Sequence, residues 1–312
     1  MFGIPSPALL RPHLWLSLAL LAPFLILGSP NLGAQVLDAP ENLSSTAAIV
    51  TILGGIDAGT AKDFKATVEL LKDKDLKFLI IKLDTPGGTI EASRELADYI
   101  DNLSDTGIET FGWVPNGRSA YSGGTLVAFS CRNLAMGDNS RIGDVQPIDF
   151  LGNELPEKIQ TTVRADMRRW ARERGYPTAL AEAMVTKELG VLRVRSGQRS
   201  ERYLTDQELE DLTPAERAAS SVERIVESGE ILTIDEEEAF EYGFISYICQ
   251  SPEQLLSDFN LGHLNVLTSQ EILGQKRIGD AGGMAMDAFR GWSRFIEFLL
   301  VLGAAIALVL EL

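Results

Sequence analysis

The sequence predicts an α/β fold built on buried parallel strands, and three observations carry that prediction. Ala47 to Leu53 and Phe78 to Leu83 are short, β-rich apolar runs without regular polar alternation, as expected of strands covered on both faces. Each is followed by a stretch with helical spacing, Ala61 to Leu71 and Ile90 to Leu103. The alternation then continues through a strand at Glu109 to Val114, a helix at Ser122 to Ser130 and a strand at Asn133 to Met136. Strands that alternate with helices are joined by crossovers and therefore run parallel.

The individual elements follow from their patterns. Ile90, Leu96, Ile100 and Leu103 fall on one side of their helix, the side that seeks a core. From Leu155 to Gly175 a long helix carries Ile159, Val163, Met167 and Trp170 on one face and Arg164, Arg168, Arg169, Arg172 and Arg174 on the other. That arginine face reads as solvated, with a dimer contact or docking surface as the alternative. Residues 192–230 are charged and break the pattern. They hold a hairpin from Leu192 to Tyr203 that turns at Ser196-Gly197, so 191–228 is an excursion inserted into the core. The chain has no internal repeat, phosphate-binding loop or dinucleotide-binding glycine fingerprint.

The two ends have a different character. Arg11 and His13 precede an uncharged run, Leu14 to Leu27, and small residues end at Ala34, the pattern of a secretory signal over 1–34 with an uncleaved anchor as the alternative. A linker is expected at 35–46, the folded body at 47–258, and a second linker at 259–291. The apolar run Phe298 to Leu310 is shorter than the ~20 apolar residues of a membrane span. With Trp292 near its edge, 292–312 is read as the start of a transmembrane region.

Composition removes whole classes of function. A net charge of −16 argues against a nucleic-acid partner and against docking on anionic lipid by charge alone. Of two histidines, His13 lies in the signal-like segment and His263 outside any motif, which leaves neither a Ser-His-Asp triad nor a histidine metal site. Cys131 and Cys249 are far apart, without metal-like spacing. They read as buried free thiols, with pairing in an oxidising compartment as the alternative. No metal or cofactor is expected, and acid-base chemistry falls to lysine, carboxylates or tyrosine.

Three segments can carry such chemistry. Leu83-Asp84-Thr85-Pro86-Gly87-Gly88 follows a buried strand; its two glycines permit a sharp turn whose N–H groups can face a developing negative oxygen. In Arg118-Ser119-Ala120-Tyr121-Ser122-Gly123-Gly124-Thr125 the serine stands at a helix start. It is either an ordinary cap or a nucleophile favoured by the helix dipole, with the next N–H free. Pro156-Glu157-Lys158-Ile159 puts a lysine in a helix first turn, where it is either a plain surface residue or a base. A lysine base requires apolar walls that make its neutral form available at the working pH.

Together these stretches resemble the NfeD membrane-bound serine protease family, within the class of ClpP and signal peptide peptidase A. The resemblance runs from about Ile49 to Ile248. Gly55-Ile56-Asp57-Ala58-Gly59-Thr60-Ala61 is similar to the family's opening turn, Leu83 to Gly88 to its oxyanion motif, and Ser122-Gly123-Gly124-Thr125 to its nucleophile turn, typically Ser-Ala-Gly-Thr. Ile142-Gly143 before Pro147, Lys158-Ile159 opening a helix that ends at Arg174-Gly175, Met184 to Leu189, and Glu237 to Gly243 match later segments. The resemblance implies a ClpP/crotonase-like spiral of ββα units. It implies Ser122 as nucleophile, Lys158 as general base, and Gly87, Gly88 and Gly123 as oxyanion N–H donors. It further implies an exported, membrane-associated endopeptidase on the periplasmic side, acting on hydrophobic segments of membrane proteins such as stomatin-like partners. A homo-oligomer, dimer or higher, is expected. The departures are Gly123 in place of alanine, the bulky Tyr121, and the 191–228 excursion. Lys187 is a competing lysine, assigned a structural role. Two other readings stand beside this one: a non-catalytic membrane quality-control scaffold, and a crotonase-like acyl-CoA enzyme.

Overall fold

The computed structural model describes residues 46–268 and 271, apart from 150 and 197–199. In chain order the first half reads β1 (Thr46–Leu53), α1 (Ala58–Lys72), β2 (Leu76–Asp84), α2 (Ile90–Leu103), β3 (Glu109–Val114), β4 (Ser119–Tyr121), α3 (Gly123–Ser130), β5 (Asn133–Met136), β6 (Arg141–Gly143) and α4 (Glu157–Arg174). The second half reads α5 (Thr178–Ala183), β7 (Val191–Ser196), β8 (Ser200–Thr205), α6 (Asp206–Glu210), α7 (Pro214–Ala218), β9 (Ser220–Val226), β10 (Thr233–Asp235), α8 (Glu236–Glu241), α9 (Pro252–Asp258) and β11 (Asn265–Thr268).

The main sheet has the order β11-β1-β2-β3-β5, parallel at every pairing. Side chains alternate across it. Leu79, Ile81 and Leu83 of β2 enter one core with Phe64, Leu96, Phe129 and Trp170, while Ile80 enters a second core with Phe111, Trp113, Leu255 and Leu256. Burial on both faces is why β2 reads as a continuous apolar run.

A second, shorter layer is stacked at the C-terminal ends of these strands. Ile56 bridges Gly88, Thr85 bridges Ala120, β4 pairs with β6 in parallel, and β6 pairs with β10 antiparallel. Four of the five main-sheet strands therefore continue into a short partner in this layer before a helix: β1 to Ile56 to α1, β2 to Thr85–Gly88 to α2, β3 to β4 to α3, and β5 to β6 to α4. That is the repeated ββα spiral, and it brings three strand–helix turns side by side.

Two expectations are corrected. The body does not give way to a linker after 258, because β11 adds a parallel edge strand to β1. The arginine face of α4 is not simply solvated. Arg168 pairs with Glu182, Arg169 with Asp98 and Asp101, and Arg94 of α2 with Asp166, which ties α4 to α2 and to α5. Arg174, with 4% of its side chain exposed, bonds Asp101 at 2.5 Å and the carbonyls of Cys131 and Ser130 at 3.0 and 3.1 Å. The expected hairpin of the 191–228 excursion is present as β7 and β8, and β9 joins them in an antiparallel sheet of order β8-β7-β9. Cys131 and Cys249 are free and lie in different cores. The expected signal segment, 1–34, and the expected membrane region, 292–312, lie outside the described residues. Among the described residues no helix is long and apolar enough to cross a membrane.

Candidate active site

The strand–turn–helix from β4 through Ser122 into α3 forms the centre of the site. Ser122 has φ 52° and ψ −118°, a left-handed-side conformation costly for a side chain with a Cβ. The surroundings hold it there. Its N–H donates to Gly143 O at 3.0 Å, and its carbonyl accepts from the N–H groups of Thr125 and Leu126 at 2.9 and 3.2 Å. Thr125 fastens the same turn: its buried hydroxyl donates to Ala120 O at 2.7 Å and accepts from the Gly143 N–H at 2.9 Å. The Ser122 side chain makes no capping bond, so the ordinary reading of a helix-start serine does not apply. Ser122 is partly buried at the positive end of α3, and the strain is of the kind stored at functional turns.

Relief of that strain is measurable. Ser122→Gly should melt about 2–4 °C above Ser122→Ala, because about 1–3 kcal/mol of backbone strain outweighs the 0.5–1 kcal/mol of entropy a glycine loses on folding. A glycine variant that melts at or below the alanine variant would contradict the strain.

The Thr85–Gly88 turn abuts this serine. Thr85 N–H donates to Ser119 O at 2.9 Å, and Tyr121 N–H donates to Thr85 O at 3.0 Å, which locks the turn alongside β4. Gly87 has φ +99°, and a Cβ there would lie 2.7 Å from Ser122 Cβ and 2.9 Å from Gly123 N. A Cβ on Gly88 would lie 1.9 Å from Ile56 O. The two glycines are therefore required by close backbone approach. They do not serve the same role. Gly87 N–H is already donated to Thr85 Oγ1 at 3.0 Å, so it is not the free donor the sequence suggests. Gly88 N–H and Gly123 N–H have no acceptor among the described residues.

The candidate bases lie apart from this cluster. Lys158 sits in the first turn of α4, exposed, and its side-chain amine makes no hydrogen bond or ion pair among the described residues. The expected buried amine beside the Ser122 hydroxyl is not present in this conformation. Lys187 is paired with Glu154. Burial pushes the Cys131 thiol up, so it stays protonated and is no rival nucleophile. Among the described residues no cluster of His, Cys, Asp or Glu could hold a metal. Sequence reasoning named Thr125 only as part of the serine turn and gave it no role, though its signal was a polar residue in the first turn of a largely apolar helix; it missed Ser93, taken up below.

The stacked ββα units and the strained serine turn place this chain in the mixed α/β, ClpP-like class. The chain belongs to the NfeD1b family, whose N-terminal domain it matches over residues 46–228. The Membrane-bound protease PH1510 of Pyrococcus horikoshii is 30% identical over 149 residues, 46% of this chain and 33% of that protein. The Membrane protein NfeD1b of Bacillus subtilis is 25% identical over 150 residues, again 46% and 33%. The chain thus spans about a third of the length of these curated relatives. Among solved structures, the 1510-N membrane-bound stomatin-specific protease, as a lysine-to-alanine variant in complex with a substrate peptide, superposes with a TM-score of 0.53 at 23% identity. It covers 72% of this chain and 91% of that one. A serine-to-alanine variant of the same protease gives the same TM-score. At this identity the likeness shows the fold.

Proposed function

We propose that this chain is a membrane-associated serine endopeptidase that cuts hydrophobic segments of membrane proteins. The observation that carries the reading is Ser122 itself: a strained, uncapped hydroxyl at a helix start, beside two backbone N–H groups without acceptors. The name of the structural relative as a protease with a bound substrate peptide supports it.

In the proposed reaction the Lys158 amine takes the Ser122 proton as Oγ attacks the peptide carbonyl carbon. Gly88 and Gly123 N–H groups hold the resulting oxyanion, and Gly87 supplies the turn that aligns them. The C–N bond breaks, and the proton on Lys158 passes to the leaving amine. Water then attacks the acyl ester, giving the carboxylic acid and restoring the Ser122 hydroxyl. Lys158 must approach from its exposed position. The segment leading into it carries exposed apolar side chains, Ile148 at 54% and Leu151 at 73%, which suit contact with an apolar substrate. Stomatin-like proteins are the proposed partners, following the relative's specificity. Export, a periplasmic placement of the domain and a homo-oligomer belong to the same proposal.

A second reading, a non-catalytic quality-control scaffold, is favoured by one observation, the solvent position of Lys158. A fluorophosphonate probe separates the two. Mass spectrometry of the treated full chain in detergent should locate the adduct on Ser122, together with cleavage of apolar peptides. A chain that takes up no probe and cuts no peptide is the scaffold.

A further inference from the structure

Ser93 lies on the buried face of α2, between Ala92 and Leu96, and is 0% exposed. Its N–H continues the helix ladder to Thr89 O at 3.0 Å, but its hydroxyl has no hydrogen-bond partner among the described residues. Buried helical hydroxyls ordinarily return to a carbonyl one turn back. Thr67 and Ser130, equally buried on their helices, do so at 2.7 and 2.8 Å. A fully buried, unpaired hydroxyl is unfavourable and calls for a reason.

Its location supplies one. A Cβ built on Gly123 would lie 2.1 Å from Ser93 Oγ, 2.8 Å from Ser93 Cβ and 3.4 Å from Gly88 N. The Ser93 hydroxyl thus fills the space that an alanine methyl would take in a Ser-Ala-Gly-Thr turn. The same built Cβ lies against Gly88 N, so the hydroxyl borders the turn that carries the two N–H groups assigned to the oxyanion. Gly123 and Ser93 are a complementary pair, and the glycine is obligatory while the serine is present. A hydroxyl free of partners can rotate its dipole toward charge that develops in front of it, in surroundings that exclude water.

We propose that Ser93 is a positioning residue of the oxyanion site: it acts through Gly123, setting the place of that N–H, and turns its unpaired O–H dipole toward the developing negative charge. This rests on the peptidase reading above and adds a residue to it.

The test compares three variants with wild type and Ser122→Ala, by peptide hydrolysis and by thermal melting. Ser93→Ala removes only the unpaired hydroxyl. Its kcat should fall about tenfold with KM unchanged, a modest fraction of the 10²–10³ seen when a direct donor is lost. Its Tm should stay level or rise, because no bond is broken. Gly123→Ala alone should melt well below wild type. Adding Ser93→Gly should recover most of the lost melting temperature by clearing the methyl's space, short of wild type by the small cost of a glycine inside a helix, while kcat remains at the Ser93→Ala level. The inference is overturned if Ser93→Ala keeps kcat within twofold, or if it lowers Tm as the loss of a satisfied hydrogen bond would. If Ser122→Ala hydrolyses like wild type, the nucleophile assignment fails instead. The melting comparison reads the Ser93–Gly123 pair whether or not a substrate is turned over.

Discussion

Ser122→Ala should lower peptide hydrolysis by about 10⁴- to 10⁶-fold, because a covalent mechanism has no substitute for its nucleophile. Folding should be nearly untouched, since the hydroxyl makes no capping bond and the backbone bonds that hold the turn come from Gly143, Thr125 and Leu126. Lys158→Ala should cost about 10³-fold or more, and the double variant little beyond the worse single one, because two groups that act on one proton transfer are not additive. Lys158 is exposed, so its loss should leave Tm unchanged as well. Initial rates on one apolar peptide, with melting curves beside them, decide the matter. Hydrolysis by Ser122→Ala above a tenth of wild type would remove the serine from the mechanism. A Lys158→Ala rate within tenfold of wild type would move the general base elsewhere.

The largest effect on stability is expected from Gly88→Ala. The added Cβ would meet Ile56 O at 1.9 Å, Ile56 C at 2.5 Å and Ile56 N at 2.6 Å. All three are backbone atoms, and none can rotate away. Relief requires parting the bridge in which Ile56 N–H donates to Gly87 O and Thr89 N–H to Ile56 O, both at 2.9 Å. Overpacking against backbone, with two hydrogen bonds lost, is expected to cost about 4 kcal/mol or more. That is a fall in Tm of about 10 °C or more for a domain of this size. Gly55→Ala, where an added Cβ meets nothing within 4 Å, is the control and should melt like wild type. A Gly88→Ala Tm within about 2 °C of that control would show the second layer to be looser than its geometry.

The elements legible in the sequence were those whose burial has a period. Ile90–Leu103 and Glu109–Val114 stand where their apolar spacing puts them. So do Asn133–Met136 and the long helix that closes on Gly175, which has φ +75°. The parallel main sheet followed from the alternation itself. At the site, the proximity of the Gly87-Gly88 turn to Ser122 was legible through the family resemblance. The allocation of donors within it was not, because nothing local indicates that Thr85 Oγ1 takes the Gly87 N–H. The arginine face of α4 misled for a related reason: an ion pair needs a partner, and Asp98, Asp101 and Glu182 come from other helices. β11 reads as linker in the sequence because four residues hold too little pattern to announce a strand.

By itself, then, the sequence determined the order of strands and helices, the glycines at the tight turns and a strand–helix serine, since each depends on spacing and chain conformation over a few residues. Only the tertiary structure decided which N–H groups stay unpaired, that Lys158 faces solvent, and that Ser93 presses its hydroxyl against Gly123. These are contacts between distant segments, fixed by how the two stacked layers approach, and the free energy of such a contact is written in neither partner alone.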